Sequence, residues 1–168
     1  MRERLLESKI MSELLKDSRL SDRQLAGALR TSETNIARAR SRVAKQLIDG
    51  YTIIPKWKEI GFEIIAFTFI KNRKEVYLTS KKFDEAVKKT REWYREHPNV
   101  VFASAGEGLG FDGLFVSLHK SYSEFVRFKR EHDDELRDTV TDSQSLIVDI
   151  SPKTVLKTFH LKYLADVE

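Results

Sequence analysis

Apolar side chains in the first fifty residues recur at helical spacing. Leu6, Ile10, Met11, Leu14 and Leu15 fall on one stripe, which predicts a helix over that segment. Asp17-Ser18-Arg19-Leu20 interrupts it. Ser21-Asp22-Arg23-Gln24 has the form of a capping box, in which the serine hydroxyl accepts from the Gln24 backbone N–H and the Gln24 side chain reaches back. The helix so opened turns Leu25, Ala26 and Leu29 inward and stops at Thr31-Ser32. Ser32 suits the N-cap of a third helix that runs to about Leu47. On it Ile36, Ala39, Val43 and Leu47 share one side, while Asn35, Arg38 and Arg42 share another. Gly50 closes the region. Three short helices with a tight turn between the last two make a helix-turn-helix unit.

Beyond residue 51 the period changes. Phe62–Lys71 is β-branched and aromatic on both faces and reads as an interior strand. Lys82–His97 is helical, with Phe83, Ala86, Val87, Thr90 and Tyr94 on one face, and Pro98-Asn99 breaks it. Val100–Ala105 and Leu114–His119 are strands around a Gly-rich connection. Tyr122–Arg137 is a helix that turns Phe125, His132 and Leu136 inward, and Ser145–Ile150 is a fourth strand before Ser151-Pro152. The tail, Val155–Leu164, fits a strand or a short helix equally. The order βαββαβ is that of a ferredoxin-like sandwich. Two helices cover one face of its sheet; the other face is also apolar, and no element is left to cover it, which predicts a second copy there. The fold class is therefore α+β: a three-helix unit over 1–50 and a sandwich domain over 51–168.

Composition narrows the function classes. Forty percent hydrophobic and 33% charged residues are globular proportions. The absence of cysteine excludes a disulfide scaffold and any Cys-ligated metal site. No apolar run is longer than Ile64–Phe67, far below the ~18 residues of a membrane span. Met1-Arg2-Glu3-Arg4-Leu5 is charged and lacks a signal-peptide core, so a cytoplasmic protein without membrane contact is expected. His97, His119, His132 and His160 are scattered without metal-ligand spacing. His132-Asp133-Asp134 reads as helix surface near a core edge, and Trp57, Trp93 and the ten Phe read as core and interface. With no P-loop or nucleophile elbow either, no catalytic constellation and no cofactor is expected.

The charge is asymmetric. Residues 1–50 hold eleven Lys/Arg against seven Asp/Glu, whereas residues 51–168 hold nineteen of each. Arg30, Arg38, Arg40, Arg42 and Lys45 cluster against Glu33 alone. A cationic stripe on a helix-turn-helix points to double-stranded DNA. Arg pairs bidentately with guanine and Asn with adenine, which suits Asn35, Arg38 and Arg42; Thr34 stands beside them on the same helix. Thr31, Ser32 and the first-turn amides suit phosphate at the positive helix end. A basic three-helix unit that contacts protein instead is the competing reading. The stretch Gly106-Glu107-Gly108-Leu109-Gly110-Phe111-Asp112-Gly113 is no dinucleotide fingerprint, because a strand follows it; it reads as a flexible hairpin connection.

The run Leu6-Glu7-x-x-Ile10-Met11-x-x-Leu14-x-x-Asp17-x-Arg19-Leu20-Ser21-x-x-Gln24-Leu25-Ala26 resembles the N-terminal domain of Lrp/AsnC (feast/famine) transcription regulators. The resemblance continues through Leu29-Arg30-Thr31-Ser32-x-x-Asn35-Ile36-x-Arg38 to Leu47-Ile48-Asp49-Gly50-Tyr51-Thr52, which looks like that family's strand out of a winged-helix-like DNA-binding domain. It looks like a divergent member of archaeal type. Three departures stand out. Arg30 occupies a usual Gly position, so either the turn is reshaped or Arg30 contacts phosphate. Ala39-Arg40 reverses the usual Arg-apolar order, which puts a charge near the core unless its stem extends outward. A residue is missing near Gln46. The second domain is similar to the family's effector and assembly domain, which implies a homodimer or larger oligomer. Gly110-Phe111-Asp112 looks like the family's Gly-x-Asp element, near a small-molecule site between subunits, and so implies an amino-acid-like effector near Gly106, Gly108, Gly110 and Asp112. Sirohaem decarboxylases are similar in both domains, but their Arg-Arg exit and His-Asn-Tyr motif are replaced here by Ile48-Asp49-Gly50-Tyr51 and Ser104-Ala105-Gly106.

Overall fold

Local signals lay out the first helices as read from the sequence. The computed structural model describes residues 2–151, 153–158 and 160–167. Helices α1 (Arg2–Lys16), α2 (Asp22–Leu29) and α3 (Glu33–Gln46) follow in order. The capping box forms: the Ser21 N–H donates to Gln24 Oε1 at 2.8 Å, and the Gln24 N–H donates to Ser21 Oγ at 3.3 Å. Ser32 caps α3 through the Asn35 N–H. Ile10, Leu14, Leu25, Ala26, Ile36, Ala39 and Val43 form the core between the three helices. Leu47, expected on that buried side, is 54% exposed, because the helix ends at Gln46 and Leu47 is already its C-cap. Leu47–Thr52, which the resemblance casts as an exit strand, forms none: Leu47 is the C-cap of α3, and the residues after it run irregularly.

The chain divides into two units, Met1–Ile54 with Lys157–Glu168, and Pro55–Leu156. The tail thus belongs with the helices. It forms a 3-10 helix over Leu161–Asp166, capped by His160, which packs on α1, buries Ala165 and sets Asp166 3.5 Å from Lys16 Nζ. Among the described residues no helix is long and apolar enough to cross a membrane.

The second unit holds β1 (Ile64–Asn72), α4 (Ser80–Glu96), β2 (Val100–Gly108), β3 (Phe111–His119), α5 (Tyr122–Glu135) and β4 (Val140–Asp149). Its antiparallel sheet has the order β2-β3-β1-β4, the ferredoxin-like arrangement. Ile70, Trp93, Phe115, Phe128, Leu136 and Val140 make the core under the helices. α4 turns Ala86, Val87, Thr90 and Tyr94 inward as read, with Trp93 buried beside them and stacked on His97; Phe83 alone departs, 43% exposed and leaning on Tyr77. On the other face, Ile65, Phe67 and Phe69 lie beside Leu118, Val116 and Leu114 on β3 and beside Val148 and Leu146 on β4. There Leu146 is 61% and Phe102 54% exposed.

The Gly-rich stretch is not a loose loop. β2 runs to Gly108 and β3 starts at Phe111, which leaves Leu109-Gly110 as a two-residue hairpin. Both have positive φ, 53° and 80°, as a type I′ turn requires. Leucine is strained there, whereas Asn and Gly are not. Leu109→Asn is expected to raise stability by about 1 kcal/mol in urea unfolding; an unchanged midpoint would contradict the turn assignment.

His132 is turned inward with Phe125 and Leu136, as the helix pattern predicts, and is fully buried among Trp93, Tyr94 and Phe115, with Nδ1 3.0 Å from Asp133 Oδ1. His119 is also fully buried, with Nε2 2.8 Å from Ser117 Oγ. Burial lowers the pKa of both; Glu124 partly offsets this at His119, and Asp133 does so at His132. The unfolded chain therefore binds more protons, and stability is full above the ordinary histidine pKa and declines as pH falls through about 6.5. Urea midpoints between pH 7.5 and 5.5 should drop; a flat series would contradict it.

Candidate nucleic-acid interface

The sequence of α3 divides its surface. Ile36, Ala39 and Val43 are fully buried, which leaves Thr34, Asn35, Arg38, Ser41 and Lys45 exposed. Thr34, Arg38, Ser41 and Lys45 recur at spacings of four, three and four, so they form one ridge along the outer side. Ser41 and Lys45 were not singled out as site residues; their spacing from Arg38 was the available signal.

The N-terminal end of α3 is built by the turn after α2. Arg30 adopts the left-handed conformation, φ 51° and ψ 50°. Its N–H donates to Gly27 O at 3.4 Å, and the Thr31 N–H donates to Ala26 O at 3.0 Å, the two bonds of a Schellman ending. The turn is therefore kept, not reshaped, although Arg replaces glycine. Arg30 and Ser32 are exposed, and Thr31 is half-buried with its Oγ1 accepting from Asn35 Nδ2 at 3.5 Å. Arg30, Thr31, Ser32, Thr34, Asn35 and Arg38 are thus brought together around the start of α3.

Two arginines are engaged elsewhere. Arg42 is half-buried and donates from Nε to Glu7 Oε1 on α1 at 2.6 Å. Arg40 extends its stem away from the core, and its Nη1 donates to Leu20 O at 2.7 Å and to Asp22 Oδ1 at 3.0 Å. The first contact ties α3 to the α1–α2 connection and the second ties it to α2, so Arg40 serves the fold.

Of the candidate effector residues, Gly106 and Gly108 lie in β2, Gly110 in the turn, and Asp112 in β3, where its Oδ2 accepts the Asn72 N–H at 2.8 Å. Asp112 borders a cleft of about 440 Å³ between α4 and β2, and the three glycines do not. The four do not converge on one pocket.

No family model and no curated protein matches the sequence. Solved structures do match the fold. A transcriptional regulator from Neisseria meningitidis, solved in complex with L-methionine, is 19% identical over 95% of this chain and 97% of its own, with a TM-score of 0.75. An AsnC family regulator from Agrobacterium tumefaciens is 19% identical over 95% and 97%, with a TM-score of 0.74. AsnC from E. coli is 18% identical over 92% and 95%, with a TM-score of 0.67. The chain thus has the fold of the Lrp/AsnC regulators over nearly its full length, three helices followed by the βαββαβ sheet domain.

Because Arg30 is strained at positive φ, Arg30→Gly should stabilise the chain by about 0.5–1 kcal/mol. Thermal unfolding checks this; a destabilised variant would mean that the Arg30 side chain, rather than its backbone, holds the turn.

Proposed function

We propose that the chain is a DNA-binding transcription regulator of the Lrp/AsnC type, acting in the cytoplasm. The observation that carries the reading is the polar, cationic ridge on α3 opposite a fully apolar buried side. A helix shaped in this way presents Thr34, Asn35 and Arg38 to base edges in a major groove. Arg30, Thr31 and Ser32 then lie at the positive end of α3, where phosphate is favoured. Arg42 remains in the contact set as a charge beside the duplex, oriented by Glu7.

On this reading residues 1–50 bind DNA and residues 51–168 assemble the protein. The open sheet face, with Phe67, Phe69, Val116 and Leu146, supports pairing with a second copy. An amino-acid-like effector near Asp112 is part of the proposal, supported by the L-methionine bound to the Neisseria relative. The role is binding, not catalysis: the structural relatives described above are regulators.

Fluorescence anisotropy of the full chain with duplex DNA from its own upstream region, against random duplex, tests the reading. Affinity should favour the upstream DNA, and its logarithm should fall linearly with the logarithm of salt. Arg38→Ala should cost about 1–3 kcal/mol and narrow the preference between the two duplexes. Absence of binding at low salt would overturn the proposal.

A further inference from the structure

The helix-facing side of β2 is hollow. The ladder sets Ala103 opposite Phe115 and Ala105 opposite Gly113. A Cβ at Gly113 would stand 2.8 Å from Ser104 O, so glycine is required there and no side chain fills the space above it. These small residues leave the cleft of about 440 Å³ between β2 and α4. Small-molecule sites span roughly 300–1,000 Å³ and are mostly apolar, with a few polar groups that fix orientation. Here Val87 and Tyr94 wall the cleft from α4, and Val100 walls it from β2. Tyr94 leans on Phe115 and stacks on His132, which holds that wall in place.

The charges stand at opposite ends. Arg91 and Arg95 lie one turn apart on α4, are exposed and border the cleft. Elsewhere on α4, Lys81, Lys88 and Lys89 pair with Glu85, Glu92 and Asp138, but neither arginine forms an ion pair among the described residues. α4 enters β2 through the short His97-Pro98-Asn99 connection, so the two run antiparallel and Arg95 lies at the Val100 end. Asp112 and Asn72 close the other end, beside Gly113, and Asp112 is the single acid among the lining residues. From Arg91 back to Val87 is one helical turn, about 6 Å. A body much longer than one ring or one branched chain would therefore run against Asp112.

We infer that this cleft binds a short monocarboxylate with an aromatic or branched body. Its carboxylate lies between the Arg91 and Arg95 guanidinium groups, and its body covers Ala103 and Ala105 beside Tyr94. A guanidinium matches a carboxylate through two parallel N–H donors. An ammonium group would find no acid at the arginine end, and Asp112 would repel a second carboxylate at the other. Such a ligand needs no amine, unlike the amino-acid-like effector proposed near Asp112, and its site lies within the second unit alone.

Isothermal titration calorimetry of the full chain with 3-phenylpropionate tests it, with 3-phenylpropanamide, L-phenylalanine and inorganic phosphate as comparisons. The acid should bind saturably. The amide keeps the shape and loses the charge, and should bind about tenfold more weakly. Arg91→Gln and Arg95→Gln, both at exposed positions, should each weaken the acid by a similar factor with circular dichroism unchanged. No binding of the acid at millimolar concentration, equal binding of acid and amide, or affinity unchanged in both variants would overturn the inference. So would tighter binding of L-phenylalanine than of the acid, which would give the cleft to the amino-acid effector. Displacement of the acid by equimolar phosphate would overturn it too, because the arginines would then be a bare anion site. None of these results touches DNA affinity, so failure here leaves the regulator reading to its own test.

Discussion

The packing of α3 on α1 and α2 is the constraint on which the candidate interface depends. Ile36, Ala39 and Val43 bury against Ile10, Leu14 and Leu25, at roughly 1.5–3 kcal/mol for each large side chain. The pairs Arg42–Glu7 and Arg40–Asp22 are partly exposed, and such contacts contribute about 1 kcal/mol or less each. The core therefore sets how α3 is rotated, and the ion pairs only refine it. A shift of one residue turns a helix by about 100°, which would carry Arg38 toward the core and Ala39 into solvent. The outward direction of Arg38 is thus a consequence of three buried side chains that touch no ligand.

Much of the first unit was legible because its signals are local. Ser21 and Gln24 sit three residues apart and bond each other; Ser32 caps the helix that follows it. Arg30 shows where local rules stop. Propensity argues against Arg at positive φ, yet the Schellman bonds of Arg30 and Thr31 hold it there. Arg40 is similar: its partner, Asp22, is eighteen residues away, so its role emerges only when α2 and α3 are placed side by side. Arg42 looked like a base-reading residue from spacing alone, and its pairing with Glu7 required the position of α1.

In the second unit the order of strands and helices and the inward face of α4 were legible, but strand boundaries were not. Phe83, a turn and more from the rest, is the exception: the aromatic cluster of Phe115, Phe128 and His132 takes Trp93 into the core, and Phe83 is left against Tyr77. The glycines at 106, 108 and 110 suggested a loop, whereas pairing with β3 continues the strand to Gly108. The tail packs on α1, distant in sequence, and so carried no local signal. Sheet-face and edge exposure share one cause: a four-stranded sheet with helices on one side leaves one face and two edges uncovered within its own unit.

The most direct test of the central claim, that the start of α3 is the DNA-contacting surface, is backbone amide NMR of the full chain titrated with duplex DNA at low salt. The account predicts shifts concentrated from Arg30 to Arg38, with smaller ones toward Lys45. Shifts that avoid α3, or a spectrum unchanged by DNA, would contradict it.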